Sequence, residues 1–420
     1  MTRQEAAIQY IQDNYLQFNR LRYDVVADKL QLRDDPPQGT LNADPTIPPA
    51  NTPSWRELSK HDINSIVCHC AQEYDTNITT REVMTALHSN LIPHVHPLRE
   101  YILSLRPYTY DQPDWIDLLA AQVHVCSTST NDDNLFWRIC FKKWFVAMVA
   151  SWMDDNVVNH QVLVLIGRQG IYKTTWLEHL IPSHLRAYTC KLANSSDLNK
   201  DERLRIAEFG LISLDEIDSM NSRELNQLKS IITTSDVNER AAYAYTKERR
   251  VRLASFCASG NRRDFLTDIT GNRRWLPFEV ESIQNPFLTT LPYDLIYAQA
   301  YALAKDPRFS YWFELDEINV LEQHNLNFRD EASEEQLLPI LFDIPAQERG
   351  VFMTTAQISE RLVTYGAIKK PMSLSRLGML LSTAGYKAIR KRIGNALTRG
   401  WIVYQRDTNE ITALRQIVKD

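Results

Sequence analysis

Glycine is scarce in this chain, 12 of 420 residues, or about 3% against a usual value near 7%. A sequence this poor in glycine places each one where the backbone needs its freedom. Gly167, Gly170, Gly210, Gly260 and Gly271 all fall in one central stretch. Cysteine is sparse too: six residues do not make a disulfide framework in a chain of this length, and Cys68-His69-Cys70 lacks the paired spacing of a zinc site. Long uninterrupted apolar runs are missing. The most apolar segment, residues 135–153, holds Trp137, Phe141, Trp144, Phe145, Val149 and Trp152 but is broken by Lys142 and Lys143, whereas a membrane span needs about 20 mostly apolar residues. It reads as a buried core helix, and no membrane partner is expected. The first residues have no apolar stretch behind a basic start, so a cytoplasmic location is expected. Hydrophobic residues at 44% and charged residues at 24% exclude fibrous and wholly disordered classes.

The length allows about three domains. Residues 1–54 begin with an amphipathic stretch (Ile8, Ile11, Tyr15, Phe18), continue as an alternating strand (Leu21, Tyr23, Val25) and end in a proline-rich linker. Residues 55–155 lack glycine and show helical periodicity, which predicts an α-helical region. A glycine-bearing α/β core is expected over 156–285 and a helical connector over 286–335. A separate domain is expected over 336–420. No internal repeat is visible.

The chemistry concentrates in the core. Residues 161–166, QVLVLI, form an apolar run typical of a buried parallel strand. Gly167, Arg168, Gln169, Gly170, Ile171, Tyr172, Lys173, Thr174 and Thr175 follow at once, and then Trp176, Leu177 and Leu180 in helical spacing. A loop that leaves a strand and opens into a helix presents backbone N–H groups to phosphate oxygens. Lys173 then reaches the β- and γ-phosphates of ATP, and the Thr174 hydroxyl holds Mg²⁺. The usual pattern has glycine where this chain has Tyr172, so the tyrosine is expected to point away from the nucleotide, with Gly170 or a local shift supplying the backbone freedom. An incidental glycine turn accounts for Gly167 and Gly170 but not for Lys-Thr-Thr behind a buried strand.

A second apolar run, residues 211–214, ends in Asp215 and Glu216. Acids at the carboxyl end of a parallel strand lie at the ligand edge of an α/β sheet, where Asp215 can hold Mg²⁺ and Glu216 can polarise the attacking water. The plain alternative is a solvated acidic loop. A third run, residues 253–258, leads to Ser259-Gly260-Asn261, whose amide is placed to contact the γ-phosphate or its water. Arg273 and Arg274, in a glycine turn, suit charge stabilisation of a transferring phosphoryl group, within the subunit or across a boundary; a surface salt bridge is the competing reading.

Together these residues resemble the ATPase domain of the virulence-associated E family, itself close to superfamily 3 helicases of the AAA+ class. Residues 96–105, HPLREYILSL, are similar to that family's H-P-x-R-x-Y-L-x-x-L segment, and residues 268–275, DITGNRRW, to its D-x-T-G-x-R-R-[FW] signature. The resemblance runs from about residue 95 to 285. It implies an AAA+ P-loop core with a parallel sheet flanked by helices, and a replication ATPase of a phage or mobile element. Lys173 and Thr174 take the Walker A roles, Asp215 and Glu216 Walker B, and Asn261 sensor 1. Arg273 or Arg274 becomes an arginine finger reaching a neighbour's nucleotide. Self-association into a ring follows, with six subunits the expected number, and a primase is expected only as a separate chain.

The resemblance also places a DNA-contacting hairpin between the acidic strand and the third strand, where Tyr243 or Tyr245 can stack on bases and Lys247 can meet phosphate. Arg240 is an alternative contact to a neighbouring nucleotide. Beyond the core, residues 354–362 and then Leu374, Leu377, Leu380 and Leu381 read as two helices, Gly385 as a turn and residues 401–404 as a strand, an order that fits a winged-helix domain. Residues 365–406 carry nine basic side chains, Arg390, Lys391 and Arg392 among them, and no acid, in a chain whose net charge is −5. That separation of sign points to DNA. The leading expectation is a nucleic-acid-stimulated ring ATPase acting as a DNA helicase or helicase-like replication factor. A DNA-binding ATP-dependent switch or loader without unwinding is the alternative, and a small-molecule kinase a third class that the basic C-terminal segment disfavours.

Overall fold

The computed structural model describes residues 1–33, 55–126, 133–192, 200–239, 248–266, 272–329, 333–344, 350–366, 368, 371–394, 396–407 and 410–411. The chain is mixed α/β and divides into two compact units, Met1–Phe328 and Arg329–Asp420. Residues 286–328 therefore belong to the first unit.

The first unit begins with an N-terminal layer. Thr2 and Glu5 form a capping box on helix Arg3–Ile11. Strands β1 (Leu21–Asp24), β2 (Lys29–Arg33), β3 (Trp55–Glu57) and β4 (His94–Val95) form a sheet in the order β3-β2-β1-β4. Helices Lys60–Glu73 and Thr80–Leu87 pack their apolar faces into the same small core as β1 and β2. The glycine-free region expected to be helical thus also contributes strands, because Trp55–Glu57 and His94–Val95 are too short to show a period of two in sequence.

The central sheet comprises β5 (Val123–Val125), β6 (Val162–Ile166), β7 (Thr189–Leu192), β8 (Leu211–Leu214), β11 (Ser255–Gly260) and β12 (Trp275–Ile283), with β9 (Asp236–Glu239) and β10 (Glu248–Val251) pairing separately as a hairpin. The order is β5-β12-β6-β11-β8-β7. All neighbours run parallel except β5, which joins β12 antiparallel. Every residue of β6, β8 and β11 is buried, as a parallel sheet covered on both faces requires.

Helix Asp133–Met153 is the spine of this unit. Its apolar residues are buried on almost every side, which marks an interior helix rather than an amphipathic one. Three of its indoles donate hydrogen bonds to other elements: Trp137 to Ala120 O (2.9 Å), Trp144 to Phe256 O in β11 (3.2 Å) and Trp152 to Gly210 O at the start of β8 (3.1 Å). Gly210 has no side chain because a Cβ there would stand 2.9 Å from Leu98 and 3.0 Å from the Trp152 ring. The expected core helix is present, and among the described residues no helix is long and apolar enough to cross a membrane.

The second unit holds helices Ser333–Leu341, Thr355–Gly366 and Leu374–Thr383 and strands β13 (Phe342–Asp343), β14 (Val351–Met353), β15 (Lys387–Ile393) and β16 (Ala396–Gln405). β13 and β14 flank β16, and β15 pairs with β16 as a long antiparallel hairpin. The strand read at 401–404 is the end of β16. Strand β15 was not foreseen, since its run of basic residues hides the alternation. Ile358, Leu362, Leu377, Leu381, Trp401 and Val403 form the interior.

Candidate functional site

The loop after β6 lies beside the end of β11, where Gly167 N donates to Gly260 O (3.2 Å). From there the chain turns into helix Lys173–Glu178. Lys173 is 7% exposed, and its Nζ donates to Gly167 O and Arg168 O (2.7 Å each) and to Asn261 Oδ1 (3.3 Å). Burial pushes its pKa down, against the pull of Asp218 and Asp215. Gly170 has φ +85°, the backbone freedom expected of it, and Tyr172 also adopts the left-handed conformation, φ 69°, at the helix start and lines the cavity.

β8 delivers Asp215 and Glu216 to the same edge. Asp215 Oδ1 accepts from Ser259 Oγ (2.8 Å) and lies 3.4 Å from Thr174 Oγ1, and Thr174 and Ser259 are 2.9 Å apart. Lys191 Nζ stands 3.1 Å from Asp215 Oδ2. Burial raises the Asp215 pKa, but the hydrogen bonds from Ser259 and Lys191 and the lysine's charge outweigh it and hold the carboxyl below its ordinary value. It is therefore ionised, with hard oxygen donors beside it.

Glu216 follows with φ 52°. Five non-glycine residues among those described have positive φ: Asn19, Asp28, Asp75, Tyr172 and Glu216. Asn and Asp tolerate this region through local hydrogen bonds, but tyrosine and glutamate do not, at a cost of about 1–2 kcal/mol each. Both of the costly positions line one cavity, and strain of this kind gathers at functional sites.

Asn261 completes the ring of side chains. Asp218 accepts from the backbone N–H groups of Asn261 and Arg262 (3.1 Å each) and so fixes the turn after β11. Gly260 must be glycine for this approach, because a Cβ would meet Asp218 Oδ1 and Ile166 Cδ1 at 2.8 Å. The resulting cavity of about 340 Å³ is lined by Gln169, Gly170, Tyr172, Lys173, Thr174, Thr175, Asp215, Glu216 and Ser259 to Asn261. A cation, hydroxyls, an ionised carboxylate, a second carboxylate and an amide converge there, the chemistry needed to hold a polyphosphate and a water molecule.

Arg273 and Arg274 do not join this group. They sit just before β12, whose first residue pairs with Val162 at the start of β6, and so lie at the opposite edge of the sheet. There they line a second cavity of about 330 Å³ with His160, Tyr311, Trp312 and Phe313. Tyr243, Tyr245, Lys247, Arg240 and residues 268–271 lie outside the described residues. Arg390, Lys391 and Arg392 lie on β15 in the second unit, exposed.

The model of the virulence-associated protein E-like domain matches residues 106–330, more than half of the chain and every residue of the cavity. The chain belongs to this family. The solved structures similar to it include two apo structures of the NrS-1 C-terminal region (residues 305–718), at TM-scores of 0.49 and 0.46 and identities of 11% and 10%, covering 95% and 94% of this chain and 99% of that one. No curated protein matches the sequence.

The family match starts just beyond residues 96–105, whose role is architectural. His96 Nδ1 accepts from Arg99 N (3.3 Å) as the cap of helix Pro97–Ser104. Arg99 donates to Trp152 O (2.7 Å) and pairs with Asp155, and Tyr101 Oη donates to Asp294 (2.9 Å). Three participants in the cavity's bonding escape a reading of the sequence: Ser259, which bridges Thr174 and Asp215, Lys191 and Asp218. Asp218, three positions after Asp215, carries the nearest thing to a signal. Lys191 carries none, since it lies on a short edge strand.

Proposed function

We propose that this chain is a nucleic-acid-stimulated ATPase of phage or mobile-element replication, a DNA helicase or helicase-like factor that hydrolyses ATP at subunit interfaces of a ring. The observation that carries the reading is the convergence of Lys173, Thr174, Asp215, Glu216 and Asn261 in one cavity at the carboxyl edge of five parallel strands. The sheet with its covering helices supports an AAA+ core, and two helices followed by a hairpin support a winged-helix reading of the second unit.

In this reading Lys173 leaves its loop carbonyls for the β- and γ-phosphates. Among the described residues no three His, Cys, Asp or Glu side chains form a metal cage. Thr174 and Asp215 alone fit Mg²⁺, an ion that keeps several waters and takes phosphate oxygens; when bound, it neutralises the charge that develops on the transferring phosphoryl group. Glu216 orients and polarises the attacking water, and Asn261 senses the γ-phosphate next to Lys173. Arg273 and Arg274 stand at the far edge of the sheet from this cavity, and in this reading they serve a neighbour's nucleotide rather than their own.

Lys173→Ala should abolish nucleotide binding, and Glu216→Gln should bind ATP and fail to turn it over. Wild-type turnover in Glu216→Gln would remove the assignment of the acidic pair. Turnover measured with and without single-stranded DNA tests the nucleic-acid dependence. A second reading, an ATP-dependent switch or loader that unwinds nothing, is favoured by Tyr172 in the loop, and unwinding of a forked duplex separates the two.

A further inference from the structure

Hairpin β15–β16 has five basic residues, Lys387, Arg390, Lys391, Arg392 and Arg399, and no acid. Side chains alternate across a strand, and the register sets Arg390 opposite Arg399, Arg392 opposite Leu397 and Ala388 opposite Trp401. One face of the hairpin thus carries three arginines, with Lys387 and Lys391 on the other. Arg390, Arg392 and Arg399 are exposed.

Like charges directly opposed across two strands repel and destabilise the pair. The hairpin carries no acid to neutralise them: Arg399 lies over the Trp401 ring at 5.7 Å, which holds its charge without cancelling it, and the ion pairs Arg329–Glu335 and Arg406–Asp343 lie elsewhere in the unit. A planar guanidinium offers paired N–H donors matched to phosphate oxygens, and two of them flanking one position accommodate one anion better than none. Helix Leu374–Thr383, the element that reads base edges in helix-turn-helix proteins, is built differently. Its one cation is Arg376, and it exposes Leu374 (50%) and Met379 (61%).

We propose that Arg390 and Arg399, opposed across the hairpin, jointly hold one phosphodiester of bound DNA, with Arg392 beside them, so that this unit grips the backbone irrespective of base sequence. The proposal rests on the reading that the C-terminal unit binds DNA. It adds Arg399 to the contact set and assigns binding to the hairpin rather than to helix Leu374–Thr383.

The test is fluorescence anisotropy of the full chain with a short labelled DNA duplex over a series of salt concentrations. Each neutralised phosphate contributes roughly 0.9 to the slope of log K against log salt. Arg390→Ala/Arg399→Ala should therefore lower the slope by about 0.9, the single variants should lower it by no more than that, and Arg376→Ala and a scrambled duplex should leave affinity within about twofold of wild type. A loss of about twice that slope in the double variant would assign the arginines to separate phosphates, and no loss would take the hairpin off the DNA; either overturns the shared site. Strong preference for one duplex sequence, abolished by Arg376→Ala, would return recognition to the helix. Absence of wild-type binding would instead sink the underlying reading of this unit. Without DNA, Arg390→Ala, which relieves the repulsion and leaves Arg399 on the Trp401 ring, should melt at or above the wild-type temperature; a lower midpoint would show that Arg390 stabilises the fold and overturn the proposal.

Discussion

Replacing Tyr172 separates a backbone effect from a side-chain effect at the mouth of the cavity. With φ at 69°, any residue bearing a Cβ there loses about 1–2 kcal/mol. Glycine avoids that loss but gives back about 0.4–1 kcal/mol through the greater freedom of its unfolded chain. Tyr172→Gly should therefore be more stable than Tyr172→Ala by about 0.5–1 kcal/mol, although alanine is usually the more stabilising of the two. Unfolding entropy of about 2.1 cal/mol/K per residue, taken over the first unit (Met1–Phe328), converts this gap into roughly 1 °C of melting temperature. Urea denaturation without nucleotide resolves such a gap more securely than a thermal scan. Alanine equal to or better than glycine would refute the left-handed assignment and the strain argument built on it. ATP turnover in the same pair is informative in a second way: a difference between Gly and Ala follows the backbone, whereas an equal change in both follows the lost ring.

Arg273→Ala/Arg274→Ala subunits should lose about 10³- to 10⁵-fold in turnover, and mixing them with Lys173→Ala subunits should restore part of the activity, because some interfaces regain both halves; no rescue at any ratio means a site completed within one chain. His96 gives a pH test. Burial, with the Arg99 charge second, pushes its pKa down to about 4 from 6.5, so the unfolded chain takes up a proton that the folded chain refuses. Stability is thus full above pH 6.5 and falls as pH drops from 6.5 toward 4, by up to about 3 kcal/mol. Asparagine also accepts at a helix N-cap, so His96→Asn should keep the helix and flatten this pH dependence in denaturant titrations.

The phosphate loop and the acidic pair are legible in sequence because each sits at the end of a short apolar run, and a run of that kind announces a buried strand. The order of those strands is not. β11 enters between β6 and β8, and only then does Ser259 come between Thr174 and Asp215 and Asn261 come within reach of Lys173. Arg273 and Arg274 look like neighbours of the motif in sequence, yet β12 runs parallel to β6 and puts them a strand's length away from it. The left-handed turn at Tyr172 is not legible in sequence, because a residue with a Cβ takes it only at a steric cost that the packing of the whole loop sustains.

The indoles of Trp144 and Trp152 act as index pins. One holds the carbonyl of Phe256 in β11 and the other the carbonyl of Gly210 at the head of β8, so both strands take their lengthwise position from a single rigid helix. A slip of one residue along either strand is a displacement of about 3.3 Å. That exceeds the whole separation of Ser259 from Asp215, 2.8 Å, and equals that of Asn261 from Lys173, 3.3 Å. Side chains buried well behind the cavity therefore set its tolerance, and a change at Trp144 or Trp152 is felt at the carboxyl edge as misalignment rather than as a lost contact.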